Sequence, residues 1–239
     1  MRPDKGEGVG KTGRAWILVF LALGLIAPSG CKLFSGGHND CSIRLIDAVP
    51  DATALRVAVD GKKVFQGCRF RADTGYQGIP PGNYEVYAAA ERAGESEIHL
   101  PIEAVDARLH HRYTALALGV ATGSPHSRLL IFDDQPTSQD PVPKDQAMVS
   151  VVSAIPDAGQ VDVLVNGIVA YKNLRFGERS EALPLAGLPY EWTVKEAGNY
   201  VVPIAGPTTL KMRGGKSYLI VLMGRASDQT VSIQQYEDR

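Results

Sequence analysis

The chain has 239 residues, with 25 basic against 26 acidic side chains and a formal net charge of -1. No basic excess is therefore available to attract nucleic acid. Removing an N-terminal targeting segment leaves room for two domains of roughly 100 residues, each able to bury a modest core. In chain order, Arg2, Lys5, Lys11 and Arg14 precede an apolar run from Ala15 to Ala27, and Pro28-Ser29-Gly30-Cys31 comes directly after it. At about 13 residues that run spans only about 20 Å as a helix, short of a ~30 Å hydrocarbon core. Residues 1–30 thus read as a signal peptide. Gly6, Gly10, Lys11 and Thr12 suggest a phosphate-binding loop, but the position of its first glycine is Lys5 and no strand precedes it.

Ser29-Gly30-Cys31 resembles a bacterial lipoprotein box, which implies that Cys31 is lipidated and becomes the new N-terminus. Pro28 departs from the leucine usual in that box, and the alternative is an ordinary cleaved signal peptide with a thiol at Cys31. Several acyl chains at about 0.8 kcal/mol per buried CH₂ give durable anchoring. Lys32 stands where aspartate would mark inner-membrane retention in enteric bacteria, so the expected location is the outer membrane of a bacterial cell envelope. Residues 31–40 are small and polar and read as a tether. His38 within it is too poorly preorganised to be taken as a metal ligand.

Beyond the tether the chain is built on a repeat. Val49-Pro50-Asp51-Ala52, the alternating Leu55, Val57 and Val59, and Asp60-Gly61 recur at one constant spacing as Ile155-Pro156-Asp157-Ala158, Val161, Val163 and Val165, and Asn166-Gly167. Each copy is a Pro-Asp turn, a strand with one apolar face and a tight Asx-Gly hairpin. In the first copy Arg56, Ala58 and Asp60 take the opposite face of the strand from the valines. Tyr84 to Ala90, Ile98 to Val105, Tyr113 to Val120 and Leu129 to Phe132 continue a run of short strands. The predicted fold is all-β, with two tandem immunoglobulin-like or transthyretin-like β-sandwich domains at residues 41–134 and 147–239. The Pro-rich segment 135–146 reads as a semi-rigid, extended linker. In the second copy Tyr190, Trp192 and Val194 replace Tyr84, Val86 and Ala88, which makes Trp192 a core residue. Tyr218 to Met223 is apolar at every position and predicts a central strand covered on both faces, with the neighbouring domain as one cover.

Cys41 and Cys68 have no counterparts in the second copy. In an exported chain they are either a disulfide or two buried thiols. His110 and His111 are adjacent before a strand, where successive side chains point to opposite faces, so they are expected in solvent or a turn rather than on one ion. Asp133-Asp134 and Glu237-Asp238 end the two copies at equivalent places and are the candidates for calcium, against solvated or turn roles. Pro50, Asp51, Asp60, Gly61, Pro156, Asp157, Asn166 and Gly167 are expected to be structural turn residues. No Gly-x-Ser-x-Gly elbow is present, and no histidine follows residue 126.

These stretches, with Gly214-Gly215-Lys216-Ser217-Tyr218, resemble the family called domain of unknown function 4397, over about residues 42 to 238. The histidine often found before the Pro-Asp-Ala turn is replaced by Asp47 and Ser153, and the first copy has His110-His111-Arg112 in place of the glycine-lysine turn. The resemblance implies tandem sandwich-like domains and no particular activity. The expectation is a lipid-anchored envelope protein acting as a non-catalytic binding, adhesion or structural module. Its partners would be the membrane and an envelope protein or polysaccharide, with no nucleic acid, cofactor, metal site or catalytic residue. The alternatives are an accessory or catalytic subunit of an envelope hydrolase and a calcium-dependent binder.

Overall fold

A computed structural model describes residues 41–134 and 141–238. Cys31, the targeting segment, the tether with His38, and residues 135–140 of the linker lie outside the described residues. The first repeat contains β1 (Cys41–Ala48), β2 (Ala54–Val59), β3 (Lys62–Cys68), β4 (Gln77–Ile79), β5 (Gly82–Glu91), β6 (Ile98–His99), β7 (Glu103–Ala107), β8 (Arg112–Leu118) and β9 (Arg128–Asp133). The second contains β10 (Gln146–Ala154), β11 (Val161–Val165), β12 (Ile168–Leu174), β13 (Leu183–Ala186), β14 (Pro189–Glu196), β15 (Asn199–Lys211), β16 (Lys216–Met223) and β17 (Ser232–Glu237). Each repeat is a two-sheet sandwich. Its inner sheet runs β4-β1-β8-β9 or β13-β10-β16-β17. Its outer sheet runs β3-β2-β5-β6, with β7 also on β5, or β12-β11-β14-β15. The all-β sandwich expectation holds.

The inner sheets explain the continuous apolar strands. β1 pairs parallel with β8 (Ile43 opposite Tyr113), and β10 parallel with β16 (Val149 opposite Tyr218). Parallel pairs are found where both sheet faces are covered. Ile43, Leu45, Tyr113, Ala115 and Ala117 face the first sandwich core. The alternate residues Ile46, Ala48, Leu116 and Leu118 face the other repeat. There they meet Val152, Ala154, Leu219, Val221, Met223 and Tyr236 in a third core. Leu219, Val221 and Met223 are the alternate half of the all-apolar run, so the cover on its second face is the first repeat. The two repeats therefore do not stand apart on a spacer, but lie in one compact unit with a four-layer stack of sheets. At the end of the linker, Gly214 allows the close approach of Lys144: an added Cβ would collide with the Lys144 carbonyl oxygen.

A polar cluster lies at one edge of this shared core. Arg44, 1% exposed, pairs with Asp238 of the other repeat and donates to Thr114 Oγ1 (2.8 Å) and the Glu237 carbonyl (3.0 Å). Reciprocally, Arg179 reaches back to Asp134 at 3.1 Å and also donates to Ser150 Oγ at 3.1 Å. Thr114 and Tyr76 hydroxyls donate to Asp134 Oδ2 at 2.5 and 3.0 Å. Two guanidiniums thus balance two buried carboxylates across the junction. Burial pushes the Asp238 carboxyl up, the Arg44 guanidinium opposes that rise, and the Asp134 carboxylate adds to it.

One local expectation changes, and one open alternative is decided. Ile98 to Val105 is not one strand: it divides into β6 and β7, both paired with β5, whereas the second repeat keeps β15 continuous. Cys41 and Cys68 are not joined in a disulfide; both thiols are buried. Cys41 Sγ donates to the Ile79 carbonyl at 2.8 Å at the start of β1. Cys68 Sγ reaches the Ala72 carbonyl, which also accepts the Asp47 amide near the end of that strand. The six residues from Cys41 to Asp47 rise about 20 Å at strand spacing, far beyond the about 7 Å between Cα atoms that a disulfide tolerates.

Replacing Arg44 by alanine leaves two buried carboxylates facing one guanidinium. Urea unfolding should show a loss of about 3–5 kcal/mol. A loss below about 1 kcal/mol, typical of an exposed pair, would contradict the buried-network assignment.

Candidate functional site

The repeated turns build the scaffold of the outer sheets. Asp60 and Gly61 adopt φ of 46° and 73°, and Asn166 and Gly167 of 50° and 78°. Positive φ at both central residues is what a type I′ hairpin requires. Asp60 Oδ1 accepts the Glu85 amide (2.9 Å) and Asn166 Oδ1 the Glu191 amide (2.8 Å), so each hairpin is tied to the next strand of its sheet. The Asp51 carboxylate accepts the Ala121 and Thr122 amides at 2.7 and 3.0 Å. Asp157 accepts those of Ala226 and Ser227, both at 2.8 Å. From their Pro-Asp turns these aspartates reach a loop about 70 residues downstream and clamp the exit of β8 or β16, instead of closing only their own turn. The four Asx side chains are thus taken up by backbone amides, and Asp51 also pairs with Arg225 of the other repeat at 3.4 Å.

The other residues singled out in the sequence are also engaged. His111 Nδ1 contacts Asp133 Oδ2 at 2.7 Å, while His110 occupies a turn with φ of 65°. Of the carboxylates considered for calcium, Asp134 and Asp238 are bound to guanidiniums inside the junction, and Glu237 pairs with Arg213 and with Lys216 at 2.8 Å. No group of three metal-ligating side chains occurs among the described residues. Trp192 is fully buried and stacks on Tyr171 with ring centroids 6.3 Å apart.

An open groove lies elsewhere, on the outer face of β3-β2-β5-β6. A groove of about 280 Å³ is lined by Arg56, Ala58, Lys63, Tyr87, Ala89 and His99, among others. The strand register explains its shape. Lys63, Ala58 and Tyr87 lie in one row across β3, β2 and β5, and Arg56, Ala89 and His99 in the next row across β2, β5 and β6. Each row is large, small, large, so the two alanines form a floor between longer walls. Glu97 pairs with Arg56, and the Tyr87 hydroxyl donates to Glu85. The polar walls are thereby held in place by partners at the rim.

The second repeat differs at the same place. Val169, Leu164 and Thr193 form the first row there, and Asp162, Lys195 and Pro203 the second. Leu164 and Lys195 replace the alanine floor, and Thr193 removes the aromatic wall. Asp162, standing where Arg56 is, is occupied by the Tyr200 hydroxyl (2.5 Å) and the Asn173 amide (2.7 Å). One outer sheet has small residues between long polar walls; its counterpart has bulkier residues at the floor positions. Strand alternation alone puts Arg56 and Ala58 on the outward face, but their meeting with Ala89 and His99 depends on cross-strand register.

The sequence model for "Domain of unknown function (DUF4397)" matches residues 41–145 and 147–239, one copy for each sandwich. The chain belongs to the DUF4397 family. No curated protein matches it.

The two DUF4397 copies also share an unusual buried position directly before the turn. Asp47 Oδ2 and Ser153 Oγ are both buried without a hydrogen-bond partner among the described residues. Asp47 Oδ1 accepts the Val49 amide at 2.8 Å, but burial outweighs this bond and pushes the carboxyl up to about 7. Between the ordinary aspartate value and about 7, the folded chain holds a proton that the unfolded chain has lost. Stability therefore falls as pH rises through that window, at about 1.4 kcal/mol per unit for this group. Asp47→Asn should raise the Tm above that of the parent at pH 8, with the gain shrinking toward zero near pH 4. An equal gain at both pH values would contradict a buried, neutral Asp47.

Proposed function

We propose that this DUF4397 chain is a lipid-anchored protein of the bacterial cell envelope that acts as a non-catalytic binding module. The observation carrying the reading is the contrast between the copies: the same scaffold bears an open, polar-walled groove in the first and bulkier residues at the matching floor positions in the second. Small-molecule sites are concave, with a few fixed polar groups. This groove, slightly below the usual range of about 300–1,000 Å³, suits a small unit of a larger ligand. Its lining sets the polar groups of Arg56, Lys63, Tyr87 and His99 around a floor of small apolar residues, an arrangement that suits binding of a polar ligand. The anchor is Cys31, proposed from the Ser29-Gly30-Cys31 ending, with placement in the outer membrane.

Anchoring has a direct test. In cells expressing the full chain, Cys31→Ala should move the protein from the membrane pellet to the soluble fraction and abolish acyl labelling. Membrane association and labelling that persist unchanged would contradict the lipid anchor.

A further inference from the structure

We propose that the groove on the first outer sheet binds a saccharide bearing a carboxylate, such as a uronic-acid unit. The proposal rests on the binding-module reading and assigns that module its ligand class. Neighbouring strands are about 4.8 Å apart, so the walls on either side of an alanine stand about 10 Å apart. This leaves a slot for a ring lying on the floor of Ala58 and Ala89, with Tyr87 against one side. A sugar ring presents an apolar face that suits the methyl floor and the aromatic wall, while its edge hydroxyls need donors and acceptors together. The Arg56–Glu97 pair and the Tyr87–Glu85 pair supply both, and each pair is already oriented by its own contact.

The placement of one cation selects the acidic sugar. Glu97 is taken up by Arg56, and Glu85 accepts from Tyr87. Lys63 and His99 stand at the ends of opposite rows, and Lys63 is directly across Ala58 from Tyr87. A ring seated against Tyr87 therefore directs its far edge to the Lys63 ammonium, where a carboxylate makes a charge-assisted hydrogen bond. In the second repeat Lys63 is replaced by Val169, Tyr87 by Thr193 and Ala58 by Leu164, so the cation, the ring and the small floor residue of this row are all lost at those positions.

The test uses the full chain in detergent, titrated calorimetrically with a galacturonic acid trimer and a neutral galactose trimer. In parallel, it is incubated with insoluble envelope polysaccharide and pelleted. The acidic trimer should bind about tenfold more tightly than the neutral one. Lys63→Ala should abolish that preference while leaving residual binding. Ala58→Leu, which installs the side chain of the second repeat on an outward position, should abolish trimer binding with the Tm unchanged. Failure of the acidic trimer to bind, equal binding of both trimers, or unaltered binding by Ala58→Leu would overturn the ligand assignment. If the chain still pellets with the polysaccharide in any of these cases, the binding-module reading stands without this groove. If neither trimer nor polysaccharide binds, both the ligand assignment and its proposed role in glycan binding fail.

Discussion

Burial of both faces of β1, β8, β10 and β16 is the constraint on which the rest of the molecule depends. A sandwich ordinarily leaves each sheet one wet face, but here the inner sheets press together through Ile46, Leu116, Leu118, Leu219 and Val221. Strands in that position favour apolar residues, because a buried polar group without a partner is costly. Arg44 on β1 is instead paired with Asp238, and Arg179 with Asp134, so the pairings cross the junction in both directions, while Asp47 on β1 and Ser153 on β10 each keep a buried oxygen without a partner among the described residues. Such pairs are expensive to bury, so their contribution lies in fixing which surfaces meet as much as in stability.

This arrangement determines where a function can be presented. With the inner sheets hidden and the Pro-Asp and Asx-Gly turns consumed by backbone amides, the two outer sheets and the loops at the sandwich ends are what remains available. Duplication supplied two equivalent outer faces, and they have diverged. Alanines at positions 58 and 89 form the floor of one, while Leu164 and Lys195 stand at those positions in the other. The repeated residues account for folding; the residues that differ account for the groove.

Much of the fold was legible because it depends on short-range patterns. Alternating Leu55, Val57 and Val59 identify a one-faced strand, Asp60-Gly61 a hairpin, and the unbroken apolar run at Tyr218 to Met223 a strand covered twice. What depends on register or on distant pairing was not legible. Cys41 and Cys68 look like a pair by count, yet they sit toward opposite ends of β1. Asp134 and Asp238 look like strand-end carboxylates until Arg179 and Arg44 arrive from the other repeat. The groove requires knowing that Ala58 stands between Lys63 and Tyr87, and that Ala89 stands between Arg56 and His99. Small outward-facing residues in adjacent strands are the signal, but only once the strands are aligned.

The central claim is that the two repeats fold as one unit through their inner sheets, and native-state hydrogen exchange on the full chain tests it most directly. The account predicts that the amides of Ile46 and Leu116 in one repeat and those of Val152 and Leu219 in the other exchange with a common opening free energy, equal to that of global unfolding. Two separate values, differing by more than about 1 kcal/mol, would show that one repeat opens while the other stays folded and would contradict the shared core.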